Sequence, residues 1–121
     1  MSVQSLDQER AKYAWQCVKQ GVDKEYTNIA KGAPALIMGN GLMQALAFLH
    51  NKSEAAKNLA NDVSKWVASR LRIEGGSFKS LMGALLEKDC DFYLRATEEA
   101  LEVLRWIRQF SAALGEGGTR A

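Results

Sequence analysis

Few side chains in this sequence could do chemistry, and most of them lack partners at useful spacing. His50 is the single histidine. No second histidine or carboxylate stands at ligand spacing from it, so it reads as a surface or interface residue, neither base nor metal ligand. Cys17 and Cys90 are the two cysteines; neither belongs to a Cys-x-x-Cys pair. Each sits in a helical pattern among apolar neighbours, which predicts buried free thiols. Gly75-Gly76-Ser77 has the glycines of a phosphate loop, but no strand precedes it and no Gly-Lys-Ser/Thr follows, which argues against nucleotide binding. The acidic residues fall almost entirely on predicted solvent faces, leaving no carboxylate pair for acid–base work. The reading is of a protein that is not an enzyme, with no catalytic residue, no metal and no cofactor.

What remains is basic surface. Net charge is only +2, from 16 Lys and Arg against 14 Asp and Glu, so distribution matters more than the sum. Lys12 and Lys19 are seven residues apart and nearly superpose on one helix face. Lys65, Arg70 and Arg72 close a later helix and Lys79 follows at the next turn, while Arg105 and Arg108 make the end of the last helix basic. Such residues can neutralise phosphates, with tryptophans and tyrosines filling contacts. They suit solvated helix faces equally well. These eight are the candidate phosphate-contacting residues, and Pro34, Asn40, Gly41, Gln44, Trp66 and Trp106 are the candidate structural ones.

The elements that position them are helices. At 47% apolar, 25% charged and one proline, composition favours a globular chain with helical preference almost throughout. A length of 121 residues suits one domain, residues 1–121, with a short mobile tail from about 115. Pro34 to Leu49 contains no charge; at about 16 residues it is short for a membrane span and reads as a central buried helix. Asn40 and Gln44 would then need buried hydrogen-bond partners. Before it, Ser5 and Gln8 have capping-box spacing and open one helix of about 26 residues, bent near Gly21. Lys31-Gly-Ala33 should end that helix, with Pro34 in the first turn of the next. After it, Asn51-Lys-Ser-Glu54 caps the third helix, which carries Leu59, Val63, Trp66 and Val67 inward and Asp62, Lys65 and Arg72 outward. Ser77 caps a short fourth helix, Asp89 or Asp91 caps the last, and Gly115 ends it. The expected fold is an all-α, compact single-domain bundle of about five helices around Pro34 to Leu49. Met1 to Asp7 has neither the basic start nor the apolar run of a signal peptide, which points to a cytoplasmic protein with no membrane partner.

Several separated segments resemble one family: Arg10-Ala-Lys-Tyr-Ala14, Tyr26 and Ala30, Pro34-Ala-Leu-Ile37, Asn40-Gly-Leu-Met-Gln-Ala-Leu-Ala-Phe-Leu49, Lys65-Trp66, Tyr93-Leu-Arg-Ala-Thr97, Glu99-Ala-Leu101 and Trp106-Ile-Arg-Gln-Phe110. Together they resemble the small helical subunit of the type III-B CRISPR-Cas RNA-targeting effector, the Cmr complex, over nearly the whole chain. The Asn-Gly-Leu-x-Gln-x-Leu-x-Phe run is the most specific piece. Ala33 departs from the leucine associated with the position before the proline, a change expected to affect packing. The resemblance implies a non-catalytic protein of antiviral defence that stacks in repeated copies beside the backbone subunits holding the guide RNA. Its implied partners are the backbone and large subunits, copies of itself, and target RNA or the crRNA–target duplex. A helical scaffold module without direct RNA contact is the alternative.

Overall fold

A computed structural model describes residues 3–115. The all-α expectation holds: six helices run in order, α1 (Leu6–Val18), α2 (Lys24–Asn40), α3 (Leu42–Lys52), α4 (Glu54–Arg70), α5 (Phe78–Glu87) and α6 (Cys90–Gly115). The expected tail beyond Gly115 lies outside the described residues.

Local chemistry accounts for the helix starts. Ser5 accepts from the Gln8 amide at 3.0 Å while Gln8 Oε1 accepts from the Ser5 amide at 2.8 Å, completing the capping box of α1. Ser53 Oγ caps α4 through the Ala56 amide, Ser77 and Ser80 form the reciprocal cap of α5, and Asp89 accepts from the Phe92 amide to start α6. Each satisfies an amide that has no partner inside its own helix.

The expected single helix from Ser5 does not pass Gly21. Gly21 adopts φ 94°, and Asp23 accepts from the Tyr26 amide at 2.9 Å to open α2. An aspartate is worth more as an N-cap than inside a helix, so the chain stops and restarts there. The second expected boundary, Lys31-Gly-Ala33, is no boundary at all. α2 continues through it with Pro34 in its interior. Pro34 removes the bond to the Ala30 carbonyl, a loss of about 3 kcal/mol. Burial of Tyr26, Ala30, Ala33 and Ile37 along one stripe offsets that loss.

The break falls instead at Gly41, φ 88° and ψ 157°, which ends α2 and precedes α3. Pro34 to Leu49 is therefore parts of two helices joined at Gly41, and it is not the centre of the molecule. Met38 is 72% exposed and Phe48 53% exposed, while Asn40 and Gln44 face outward. Asn40 Nδ2 donates to its own helix at the Leu36 carbonyl and pins no neighbour. The centre belongs to α4 and α6. α4 buries Leu59, Ala60, Val63, Trp66 and Val67, and α6 buries Ala96, Ala100, Val103, Leu104 and Ile107. Between them these two helices pack against all four others.

Gly41 has no side chain to cap α3, and Tyr93 of α6 replaces it: its hydroxyl accepts from the Met43 amide at 3.0 Å. A Cβ on Gly41 would sit 3.4 Å from that hydroxyl. α4 ends in a Schellman motif, the Ile73 amide donating to the Ala68 carbonyl and the Arg72 amide to that of Ser69. Its left-handed position is held by Arg72, φ 59°, where glycine would be unstrained. Two outcomes are expected in equilibrium denaturation. Tyr93→Phe should cost about 1 kcal/mol through the lost cap. Arg72→Gly should gain about 1 kcal/mol while removing one candidate cation.

Candidate functional site

α6 turns Glu99 to the same face as Ala96, Ala100 and Val103, and the residue is 9% exposed. Arg10 of α1 grips its carboxylate with a two-pronged contact, Nε to Oε1 at 3.2 Å and Nη2 to Oε2 at 2.8 Å. Trp66 of α4 donates Nε1–H to Oε1 at 2.9 Å, and Arg70 Nε stands 4.0 Å from Oε2. Burial alone would push the Glu99 carboxyl up, but the hydrogen bonds from Arg10 and Trp66 and the charges of Arg10 and Arg70 outweigh it. The carboxyl is held below its ordinary value.

Asp7 extends the cluster toward solvent. It accepts from Trp106 Nε1 at 3.1 Å and from Arg10 Nη1 at 3.3 Å, and Arg105 reaches it at 3.3 Å while also pairing with Glu102 at 3.2 Å. The Trp106 hydrogen bond lowers the Asp7 pKa by more than burial raises it, and the two arginines add to the effect. Arg70 and Arg105 are thus engaged within the fold, and Trp66 and Trp106 act as hydrogen-bond donors to carboxylates besides packing.

A second polar locus lies where the α1–α2 turn meets α4. Tyr26 donates to Asp62 Oδ2 at 2.7 Å and Tyr13 to the Asp62 backbone carbonyl. Burial raises the Asp62 pKa, and the Tyr26 hydrogen bond and the charge of Lys65 only partly counter it. Burial likewise raises both phenols and pushes the Cys17 thiol up to about 12, which leaves it a poor nucleophile and metal ligand at neutral pH. Beside these groups is an open cavity of about 340 Å³ reaching from Cys17 and Gln20 to Asn58 and Asn61.

The other six candidate cations, Lys12, Lys19, Lys65, Arg72, Lys79 and Arg108, are exposed and make no ion pair within 4.0 Å among the described residues. They are not gathered at one point. Lys12 lies on α1 and Lys19 caps its C-terminal end, Lys65 lies on α4 near enough to Cys17 and Asp62 for its charge to reach both, and the rest lie on the turn after α4, on α5 and on α6. His50 is stacked on Phe78, ring centroids 4.1 Å apart and planes 15° from parallel. No group of three His, Cys, Asp or Glu among the described residues could hold a metal, and none of the described helices is long and apolar enough to cross a membrane.

This six-helix arrangement is similar to a known one. The X-ray crystal structure of a CRISPR-associated Cmr5 family protein from Thermus thermophilus matches with a TM-score of 0.77 and 32% identity, covering 93% of this chain and 100% of that one. The CRISPR system Cmr subunit Cmr5 of the same organism is 36% identical over 93 residues, 76% of each chain. The family described as CRISPR-associated protein (Cas_Cmr5) matches residues 6–114. The chain belongs to the Cmr5 family. The match runs from the start of α1 to the last turn of α6, so the resemblance read in separated sequence segments extends over the whole described bundle.

Within this Cmr5 family chain, sequence reasoning placed Asp62 and Glu99 on solvent faces, and the structure buries much of both. The signal was present. Glu99 continues the spacing Ala96, Ala100, Val103, and Asp62 falls between Leu59 and Trp66 at steps of three and four. A carboxylate at such a position requires a partner on another helix, and those partners, Arg10 and Tyr26, are distant in sequence. Cys90, expected to be buried, is exposed at the first position of α6.

Glu99→Ala is expected to destabilise the protein by about 3 kcal/mol, because it removes the two-pronged partner of Arg10, leaving only the single 3.3 Å contact with Asp7, and strips the buried Trp66 N–H of its acceptor. A depressed native pKa makes the unfolded state the stronger proton binder. The contribution of Glu99 should thus be fully present above its unfolded value of about 4.3 and lost as pH falls through the lower native value. Urea titrations from pH 7 to pH 3 should show that loss in the parent and a flatter profile in Glu99→Ala.

Proposed function

We propose that this chain is the small, non-catalytic subunit of a type III-B CRISPR-Cas effector, the Cmr complex, helping to hold target RNA along the guide-bearing backbone. The observation that carries the reading is the division of the basic residues within a Cmr5 family fold. Arg10, Arg70 and Arg105 are engaged with Asp7, Glu99 and Glu102, whereas Lys12, Lys19, Lys65, Arg72, Lys79 and Arg108 are exposed and free of ion pairs among the described residues. Long exposed cations on helices and helix ends suit sequence-independent phosphate contact, because each can neutralise one phosphate without reading a base. Arg70 and Arg105 are dropped from the direct contacts and kept as positioning residues for α1, α4 and α6. The partners under this reading are the backbone and large subunits and the target RNA or its duplex with crRNA. No cofactor is needed, and the cytoplasm, where such an effector would meet RNA, is its place.

A second reading has an observation of its own. Met38, Phe48, Leu86 and Leu94 are large apolar residues between 53% and 73% exposed. They lie on four different helices, which suits protein contacts on more than one side and supports stacking of repeated copies in the complex.

The two readings separate experimentally. Lys12, Lys19, Lys65 and Arg72 changed together to Glu should leave assembly with the other effector subunits intact and weaken binding of single-stranded target RNA. The salt dependence should flatten by about one unit for each phosphate-bound cation removed. Unchanged affinity and salt slope would leave the scaffold reading standing. Met38→Glu with Phe48→Glu should instead reduce copies per complex, measured by native mass spectrometry.

A further inference from the structure

Among the described residues, two carboxylates, Glu99 and Asp62, are largely drawn from water, and they are treated differently. Glu99 has its cation inside the fold, the two-pronged guanidinium of Arg10 at 2.8 and 3.2 Å, with an indole N–H completing the site. Asp62 has none. Oδ2 accepts from the Tyr26 hydroxyl, no described cation lies within 4.0 Å of it, and Lys65 acts on it only at longer range. Asp62 is not sealed into the core either. It forms part of the wall of the cavity of about 340 Å³ between the α1–α2 turn and α4.

We propose that this cavity is a receptor for a guanidinium group, presented by an arginine side chain of a protein partner. Its lining carries acceptors: the Asp62 carboxylate, the Asp23 carboxylate, one oxygen of which caps α2, and the side-chain amides of Gln20, Asn58 and Asn61, each with one carbonyl oxygen. A guanidinium brings five N–H donors in a planar fork and is more weakly hydrated than an ammonium, so it loses less on leaving water. Among the described residues no Lys, Arg or His lines the cavity, which disfavours phosphate and so separates this site from the RNA-facing cations. The arriving cation would supply to Asp62 what Arg10 supplies to Glu99. The proposal is independent of the RNA reading, since it requires a protein ligand and acceptor chemistry rather than exposed lysines.

The test is an NMR titration of the isotopically labelled chain with the tripeptides Gly-Arg-Gly and Gly-Lys-Gly and with hexauridylate. Gly-Arg-Gly should shift the side-chain amide signals of Gln20, Asn58 and Asn61 saturably. Gly-Lys-Gly should bind more weakly. Asp62→Asn keeps an oxygen to accept from Tyr26, so it should unfold no earlier than the parent on heating, yet it should weaken Gly-Arg-Gly by on the order of tenfold or more. Should that variant fail to fold, Asn61→Ala, at a half-buried position of α4, should weaken the peptide in the same direction. Equal shifts with Gly-Lys-Gly, full binding by Asp62→Asn or by Asn61→Ala, or the same amides responding to hexauridylate would each overturn the proposal. The last of these would make the cavity a nucleotide site.

Discussion

One carboxylate joins three helices. Glu99 on α6 is held by Arg10 of α1, by Trp66 of α4 and at longer range by Arg70 at the end of α4. These are the same three helices whose packing forms much of the core. Apolar contacts alone would permit α1 to slide or rotate on the α4–α6 pair, since a stripe of Ala and Val is tolerant of small shifts. A two-pronged guanidinium contact tolerates neither, because both oxygens must be met at once. The cost of drawing this charge from water favours the observed register: a shift of α1 that kept both groups buried would leave Glu99 and Arg10 unmatched.

That junction decides which charges are available for function. The arginines nearest to it, Arg10, Arg70 and Arg105, face acidic partners, so among the described residues the basic character of the surface rests on lysines, Arg72, Arg95 and Arg108. Lysines suit this division, because a flexible point charge meets a phosphate in many geometries whereas a planar fork suits a fixed carboxylate. Arg72 stands apart. It occupies a left-handed helix-ending position that glycine would fill without strain, so its side chain leaves the end of α4 in a direction set by the backbone. The unmatched Asp62 is the mirror image of Glu99: similar burial chemistry, with the cation left out.

The helix breaks follow from a competition between local preference and packing. At Gly21 and Gly41 the backbone takes positive φ, and nearby groups, Asp23 in one case and Tyr93 in the other, meet the amides of the next helix. At Gly32 and Pro34 the local signals were as strong, yet α2 runs straight through. Ala30, Ala33 and Ile37 lie on one buried stripe that a break would have scattered. Gly41 also sits against the Tyr93 hydroxyl, which explains why the most specific stretch of the sequence, Asn40-Gly41-Leu42, falls at a joint between helices rather than inside one.

The sequence by itself determined the all-α class, the helix starts at Ser5 and Ser77, those of α4 and α6 to within Asn51–Glu54 and Asp89–Asp91, and the inward face of α4, because caps and helical periodicity act over three or four residues. Its segments also carried the Cmr5 family resemblance. Tertiary structure decided the rest. It made α4 and α6 the centre instead of the uncharged Pro34 to Leu49 stretch, placed Glu99 and Asp62 out of water, and divided engaged arginines from exposed lysines. Arg10 meets Glu99 across 89 positions and Tyr26 meets Asp62 across 36. Pairings at that separation depend on where whole helices come to rest, a global balance of burial against desolvation that no short window of residues contains.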